Sequence, residues 1–117
     1  MKRDYRDYLQ DILVSIDETA EFTREISYNE FIEDRKTINA VVRSLEVLGE
    51  AAKRIPDDFR EKAPGVPWKY MAGMRDKLIH EYFSVDLSIV WNVIKTELPP
   101  IRPAIQSLFQ HVEEEMR

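Results

Sequence analysis

The sequence predicts an all-α protein, an up-down bundle of four or five helices. Three observations carry that prediction. Apolar residues recur at helical spacing along nearly the whole chain. No alternating β-branched run demands a sheet. Prolines and short polar residues sit where one periodic stretch gives way to the next.

Tyr5, Tyr8, Leu9, Ile12, Leu13, Ile16 and Ala20 make the first apolar stripe, on a helix from about residue 3 to 24. Ser27 and Glu30 fit a capping box that starts a second helix. Its stripe runs through Ile38, Val41, Val42, Leu45, Leu48, Ala52 and Ile55, then stops before Pro56. Gly49 inside it predicts a closely approaching neighbour helix. Arg43, Glu46, Glu50, Lys53 and Arg54 punctuate the same helix, where exposed ion pairs are the ordinary outcome and some residues can face the next helix.

Asp57 or Asp58 is placed to cap a short helix to about Lys62, and Pro64, Gly65 and Pro67 mark a turn. Pro67 suits the first position of the next helix, and Trp68 is read as core packing rather than an exposed stacking platform. After a break at Ser84–Val85–Asp86, Leu87, Val90, Trp91 and Ile94 form another stripe. Pro99, Pro100 and Pro103 predict an end or kink near Leu98, beyond which Ile101, Ile105, Leu108, Phe109, Val112 and Met116 resume the pattern.

The 117 residues are read as one domain, 1–117, large enough for a core of its own. The chain has no cysteine, which excludes a disulfide framework, a thiolate nucleophile and a cysteine zinc site. His80 and His111 stand 31 positions apart with no HExxH spacing, so no metal site is expected. The first ten residues lack an apolar signal core, and no run approaches a membrane span, so the expected location is cytoplasmic, with no membrane association.

The net charge of −5 argues against generic nucleic-acid binding. Its distribution is uneven. Residues 1–34 carry four Lys/Arg against ten Asp/Glu, residues 35–77 carry ten against six, and residues 78–117 carry three against six. The basic middle third ends in WKYMAGMRDKLIHEYF, residues 68–83. Within eight residues Arg75, Asp76, His80 and Tyr82 supply a permanent cation, a carboxylate, an imidazole and a phenol. This set suits a phosphodiester: arginine forks onto phosphate oxygens, histidine moves a proton near neutral pH, and tyrosine donates or stacks. Asp76, four residues before His80, is spaced to orient the ring. Arg75 and His80 lie about 140° apart on a straight helix, so either the helix frays near His80 or a second copy of the chain completes the site. Any one of these residues alone is commonly just an edge group of an amphipathic helix.

The pattern Arg75-x4-His80-x-Tyr82 within GMRDKLIHEYF resembles the R-x4-H-x-Y motif of the HepT-like toxins of the HEPN superfamily. The likeness runs from about Tyr8 to Pro99, through EDRKTINAVVRSLEVLGEAAKRIPDDFR upstream and VDLSIVWNVIKTELP downstream. It implies a helical, metal-independent endoribonuclease needing no cofactor, homodimeric or larger, with the motif helices meeting at the interface. Arg75 and His80 would be catalytic, with Asp76 and Tyr82 supporting, on a tRNA or mRNA substrate. It also implies a toxin–antitoxin pair, in which a nucleotidyltransferase silences the toxin by transferring AMP to Tyr82. The competing expectation is a non-catalytic module that binds a nucleotide or assists the transferase.

Overall fold

Helices start where a short polar side chain can take over the first unpaired N–H groups, and among the described residues four starts use that device. The computed structural model describes residues 4–80 and 86–115, without the side chains of Arg75, Leu78, Ile79 and His80. Helix α1 (Tyr5–Phe22) opens with a capping box between Asp4 and Asp7, and α2 (Tyr28–Glu33) opens with the predicted one between Ser27 and Glu30. Asp34 caps α3 (Arg35–Lys53); α4 (Asp57–Arg60), α5 (Trp68–His80) and α6 (Leu87–Asn92) follow, with Asp86 capping α6. A π-helical segment, Val93–Glu97, joins α6 directly to α7 (Leu98–Glu115). The described residues contain no strand, so the all-α class stands, built on α1, α3, α5 and the long α6–α7 rod. No helix among them is long and apolar enough to cross a membrane.

Three boundaries differ from the sequence reading. The stretch from Ser27 to Ile55 is two helices, not one. Asp34 breaks it by accepting from the Thr37 amide at 3.1 Å and the Thr37 hydroxyl at 2.6 Å, which together hold its carboxyl below the usual carboxylate range. The short helix is not capped by Asp57 or Asp58; Pro56 holds the cap position with no side-chain bond, and the two aspartates instead place negative charge in the first turn. Third, α5 is helical from Trp68, so Pro67 sits one residue before the helix, its carbonyl accepting from Met71 N at 3.0 Å.

The prolines after Leu98 neither end the rod nor leave it regular. Pro99 and Pro100 have no N–H, and their rings crowd the carbonyls four residues back. The chain widens there into i→i+5 bonding, with Leu98 N–H donating to the Val93 carbonyl. Pro103 lies inside α7, which continues to Glu115.

The core gathers one face from each rod. Leu9, Ile12, Leu13 and Ile16 of α1 meet Val41, Leu45, Leu48 and Ala52 of α3. Trp68, Met71 and Met74 of α5 and Ile94, Leu98, Ile105 and Leu108 of the last rod join the same cluster. Gly49 is buried on α3, as a tightly packed face requires. Polar ties join distant segments around this cluster. Arg102 grips Asp17 with two bonds of 2.7 and 2.9 Å, binding α7 to α1. Lys95 caps the far end of α1 by donating to the Thr23 carbonyl at 2.7 Å, its amine also lying 4.8 Å from the centre of the Trp91 ring. Burial holds the Lys95 amine below the usual lysine range.

Candidate active site

Positions 75, 76 and 80 of the predicted motif lie on α5, and the local sequence explains how that helix is held. Trp68 is buried, and its indole N–H donates to the Ala63 carbonyl at 3.1 Å, so it anchors the first turn in the core. Upstream, Arg60 donates to the carbonyls of Ala52 and Ile55, both at 2.9 Å, satisfying the end of α3 just before the turn. Met71 and Met74 bury the next turns of α5.

From these buried residues the register of the motif follows. α5 is a single helix through His80, so there is no fray before that residue. Helix geometry puts positions 75 and 80 about 140° apart around the axis and about 7.5 Å apart along it. Around the axis, position 75 falls between positions 68 and 71. Position 80 falls on the opposite arc, with Lys69, Gly73 and Asp76, of which Lys69 and Gly73 are exposed and Asp76 half-buried. The side chains of Arg75 and His80, and all of Tyr82, lie outside the described residues.

Asp76 is where the structure adds a residue that spacing did not single out. The Lys53 amine, at the end of α3, stands 3.0 Å from each carboxylate oxygen of Asp76. Both side chains are partly exposed, 36% for Lys53 and 49% for Asp76. The bridge ties α3 to the turn of α5 that carries Arg75 and balances a carboxylate beside position 80. The signal in the sequence was only that Lys53 lay on the apolar-striped helix preceding the motif.

Other polar groups near α5 are engaged within the fold. Tyr70 donates to Glu97 at 3.3 Å, and burial, with the Glu97 charge, raises its phenol above the ordinary tyrosine value. Gly73 has open space where a Cβ would stand. His111 is not isolated: its Nε2 lies 3.0 Å from both Lys62 Nζ and Glu115 Oε1, beside a groove lined by Lys62, Ala63, Ala104, Ser107, Leu108 and His111. Among the described residues no group of three His, Cys, Asp or Glu is arranged to hold a metal ion.

Comparison with known proteins gives a family for the chain. The family model described as ribonuclease HepT-like matches residues 12–108. A Thermococcus cleftensis protein named "Probable ribonuclease HepT" is 48% identical over 108 residues, covering 92% of this chain and 98% of its own. A Methanocaldococcus jannaschii relative is 48% identical over 113 residues, or 97% of each chain, and one from Caldanaerobacter subterraneus is 46% identical over 105 residues, covering 90% and 94%; each bears the name "Putative RNase". No solved structure matches the chain significantly.

Proposed function

This chain belongs to the HepT-like ribonuclease family, and from that premise we propose that it is a metal-independent endoribonuclease, the toxin of a toxin–antitoxin pair, acting in a cleft between two copies of itself. The observation that carries the reading is that α5 is helical through position 80: helix geometry then sets positions 75 and 80 about 140° apart around one axis, a wide angle for one chain to close on a single phosphate. Two chains meeting along their motif helices supply two arginines and two imidazoles.

The chemistry then balances without a metal. The imidazole of one His80 takes the proton of the RNA 2′-hydroxyl, and the 2′-oxygen bonds to the adjacent phosphorus. The bond from phosphorus to the 5′-oxygen breaks, and that oxygen takes a proton from the imidazolium of His80 of the partner subunit. The products are a 2′,3′-cyclic phosphate and a free 5′-hydroxyl. Arg75 neutralises the phosphate oxygens as charge builds, Asp76 orients His80, and Tyr82 positions the RNA. Silencing follows from the same site: the Tyr82 phenol oxygen attacks the α-phosphorus of ATP held by a nucleotidyltransferase, pyrophosphate leaves, and the attached AMP blocks the cleft and cancels its positive charge.

The test is cleavage of RNA in EDTA by the purified chain and by its His80→Ala variant. Cleavage by the parent that leaves cyclic phosphate ends, and is lost in the variant, supports the reading. Binding of nucleotide with no cleavage under any condition would overturn it in favour of a non-catalytic module.

A further inference from the structure

We propose that the exposed stripe Lys69, Gly73 and Lys77 on α5 is a track for the sugar–phosphate backbone of single-stranded RNA, leading to His80; the proposal rests on the ribonuclease reading above and deepens it. All three residues are exposed. They follow at intervals of four, so they climb one side of the helix in steps of about 6 Å. Position 80 continues the stripe, about 20° round the axis from Gly73 and about 4.5 Å beyond Lys77.

Gly73 is the informative member. Inside a helix glycine is less stable than alanine, because it holds more conformational freedom when unfolded. Neither of the usual reasons to keep it applies. Its φ is not positive, and a Cβ built on it would meet no described atom within 4 Å beyond its chain neighbours and its own helix backbone. Nothing among the described residues requires the missing methyl. What the glycine leaves is a bare strip of helix backbone between two lysines, where a strand can lie close while ammonium groups on either side reach its phosphates.

Charge selects the occupant. Residues 68–80 carry Lys69, Arg75 and Lys77 against Asp76, a balance of +2 in a chain of net −5. From α3, Lys53 already neutralises Asp76. Asp86 at the start of α6 has its carboxyl held low chiefly by the Ser88 hydroxyl and amide and only slightly by Lys77, and Asp57 and Arg60 of α4 sit beside Lys69 as an opposed pair of signs. A second copy seated directly on this stripe would set lysine against lysine, whereas a polyanion meets a net positive surface despite the flanking Asp57 and Asp86. A single strand fits better than a duplex because its backbone can follow one helix face to one catalytic position.

The experiment measures binding of a labelled single-stranded RNA to full-length His80→Ala chain, which keeps the RNA intact, across a range of salt. Lys69→Ala and Lys77→Ala should each reduce the slope of log K against log salt by about 0.7, the value for one phosphate contact on a single strand. Gly73→Leu should lose about tenfold or more in affinity while melting no lower than its parent, and Gly73→Ala should melt higher. Unchanged slopes, or parental binding by Gly73→Leu, overturns the track. A Gly73→Leu chain that loses a subunit partner by light scattering overturns it in favour of a contact between copies. Binding with these signatures but no cleavage by the His80-containing chain refutes the ribonuclease reading and leaves the track supported.

Discussion

Lys53 and Asp76 face each other across the junction of α3 and α5, the lysine amine 3.0 Å from both carboxylate oxygens. The pair joins the last residue of one helix to the residue beside Arg75 on another. As a partly exposed bridge it contributes about 0.2–1 kcal/mol to stability, too little to account for the fold. Its weight lies in the charge it removes next to position 80.

Lys53→Met should therefore leave melting nearly unchanged and move the acidic limb of the cleavage pH profile. With Asp76 uncompensated, the imidazole four residues on becomes more basic, so the limb shifts to higher pH. Asp76→Asn should shift it the other way. If neither variant moves the limb, Asp76 does not act on His80.

His80→Ala should lower cleavage by about 10²–10⁴-fold, the usual contribution of a positioned acid or base, with the helical signal and melting temperature retained. Arg75→Lys should be nearly as damaging as Arg75→Ala, since the charge survives but the two-pronged contact does not. In mixtures where subunits exchange, excess His80→Ala chains should depress activity more than dilution does. Strictly proportional activity would sink the two-chain site.

Tyr82→Phe removes only the phenol oxygen proposed to accept AMP. After incubation with the cognate transferase and ATP, intact mass should show added AMP on the parent, and the modified parent should no longer cut RNA. The Phe variant should gain none and escape silencing. Modification mapping to Tyr70, whose phenol is engaged with Glu97, would redirect the mechanism.

Trp68→Ala should destabilise the protein by about 3–5 kcal/mol, the usual cost of emptying a buried aromatic site, because the first turn of α5 hangs on it. Trp68→Phe keeps most of the apolar surface but leaves the Ala63 carbonyl without its donor, a loss of about 1–3 kcal/mol. Urea unfolding separates the two. No loss in Trp68→Phe would mean that the indole bond contributes nothing, and equal losses would mean that the apolar body of the ring contributes nothing.

Stability should also fall with acid through Asp17. The two bonds from Arg102 hold its carboxyl below the ordinary value of 3.8. A depressed carboxyl contributes in full above its unfolded pKa and loses that contribution as pH falls through the folded one. Asp17→Asn should melt slightly below the parent at neutral pH, and the difference should close as pH falls below the ordinary carboxylate value. A gap that persists at the acid end would identify packing, not charge, as the source.

Much of this was legible in the chain as written. The period of the apolar residues gave the rods, because burial of one face is what makes a helix in a bundle, and Ser27 with Glu30 marked a start without any tertiary help. The division at Asp34 was missed although its cue, an aspartate three residues before Thr37, was present; Phe31, Ile38 and Val41 kept the apolar period across the break and masked it. The motif residues could be named from spacing and resemblance. Lys53 could not be assigned to them, because its partner lies 23 positions away and depends on how α3 docks on α5. The same holds for His111, whose neighbour Lys62 is 49 positions away.

The π-helical segment Val93–Glu97 has one more consequence. An i→i+5 ring holds one residue more than the α-helical turn it replaces, so the rod carries a spare residue between α6 and α7. That residue works as a phase adjuster, turning the prolines and everything beyond them relative to Val90 and Trp91. The half bearing Ile105, Leu108 and Val112 thus keeps its own bearing on α1, independent of the half that packs on Phe31. Chain length and facing direction are uncoupled at this joint, so a one-residue deletion here would change which way the last helix looks before it changed how long the bundle is.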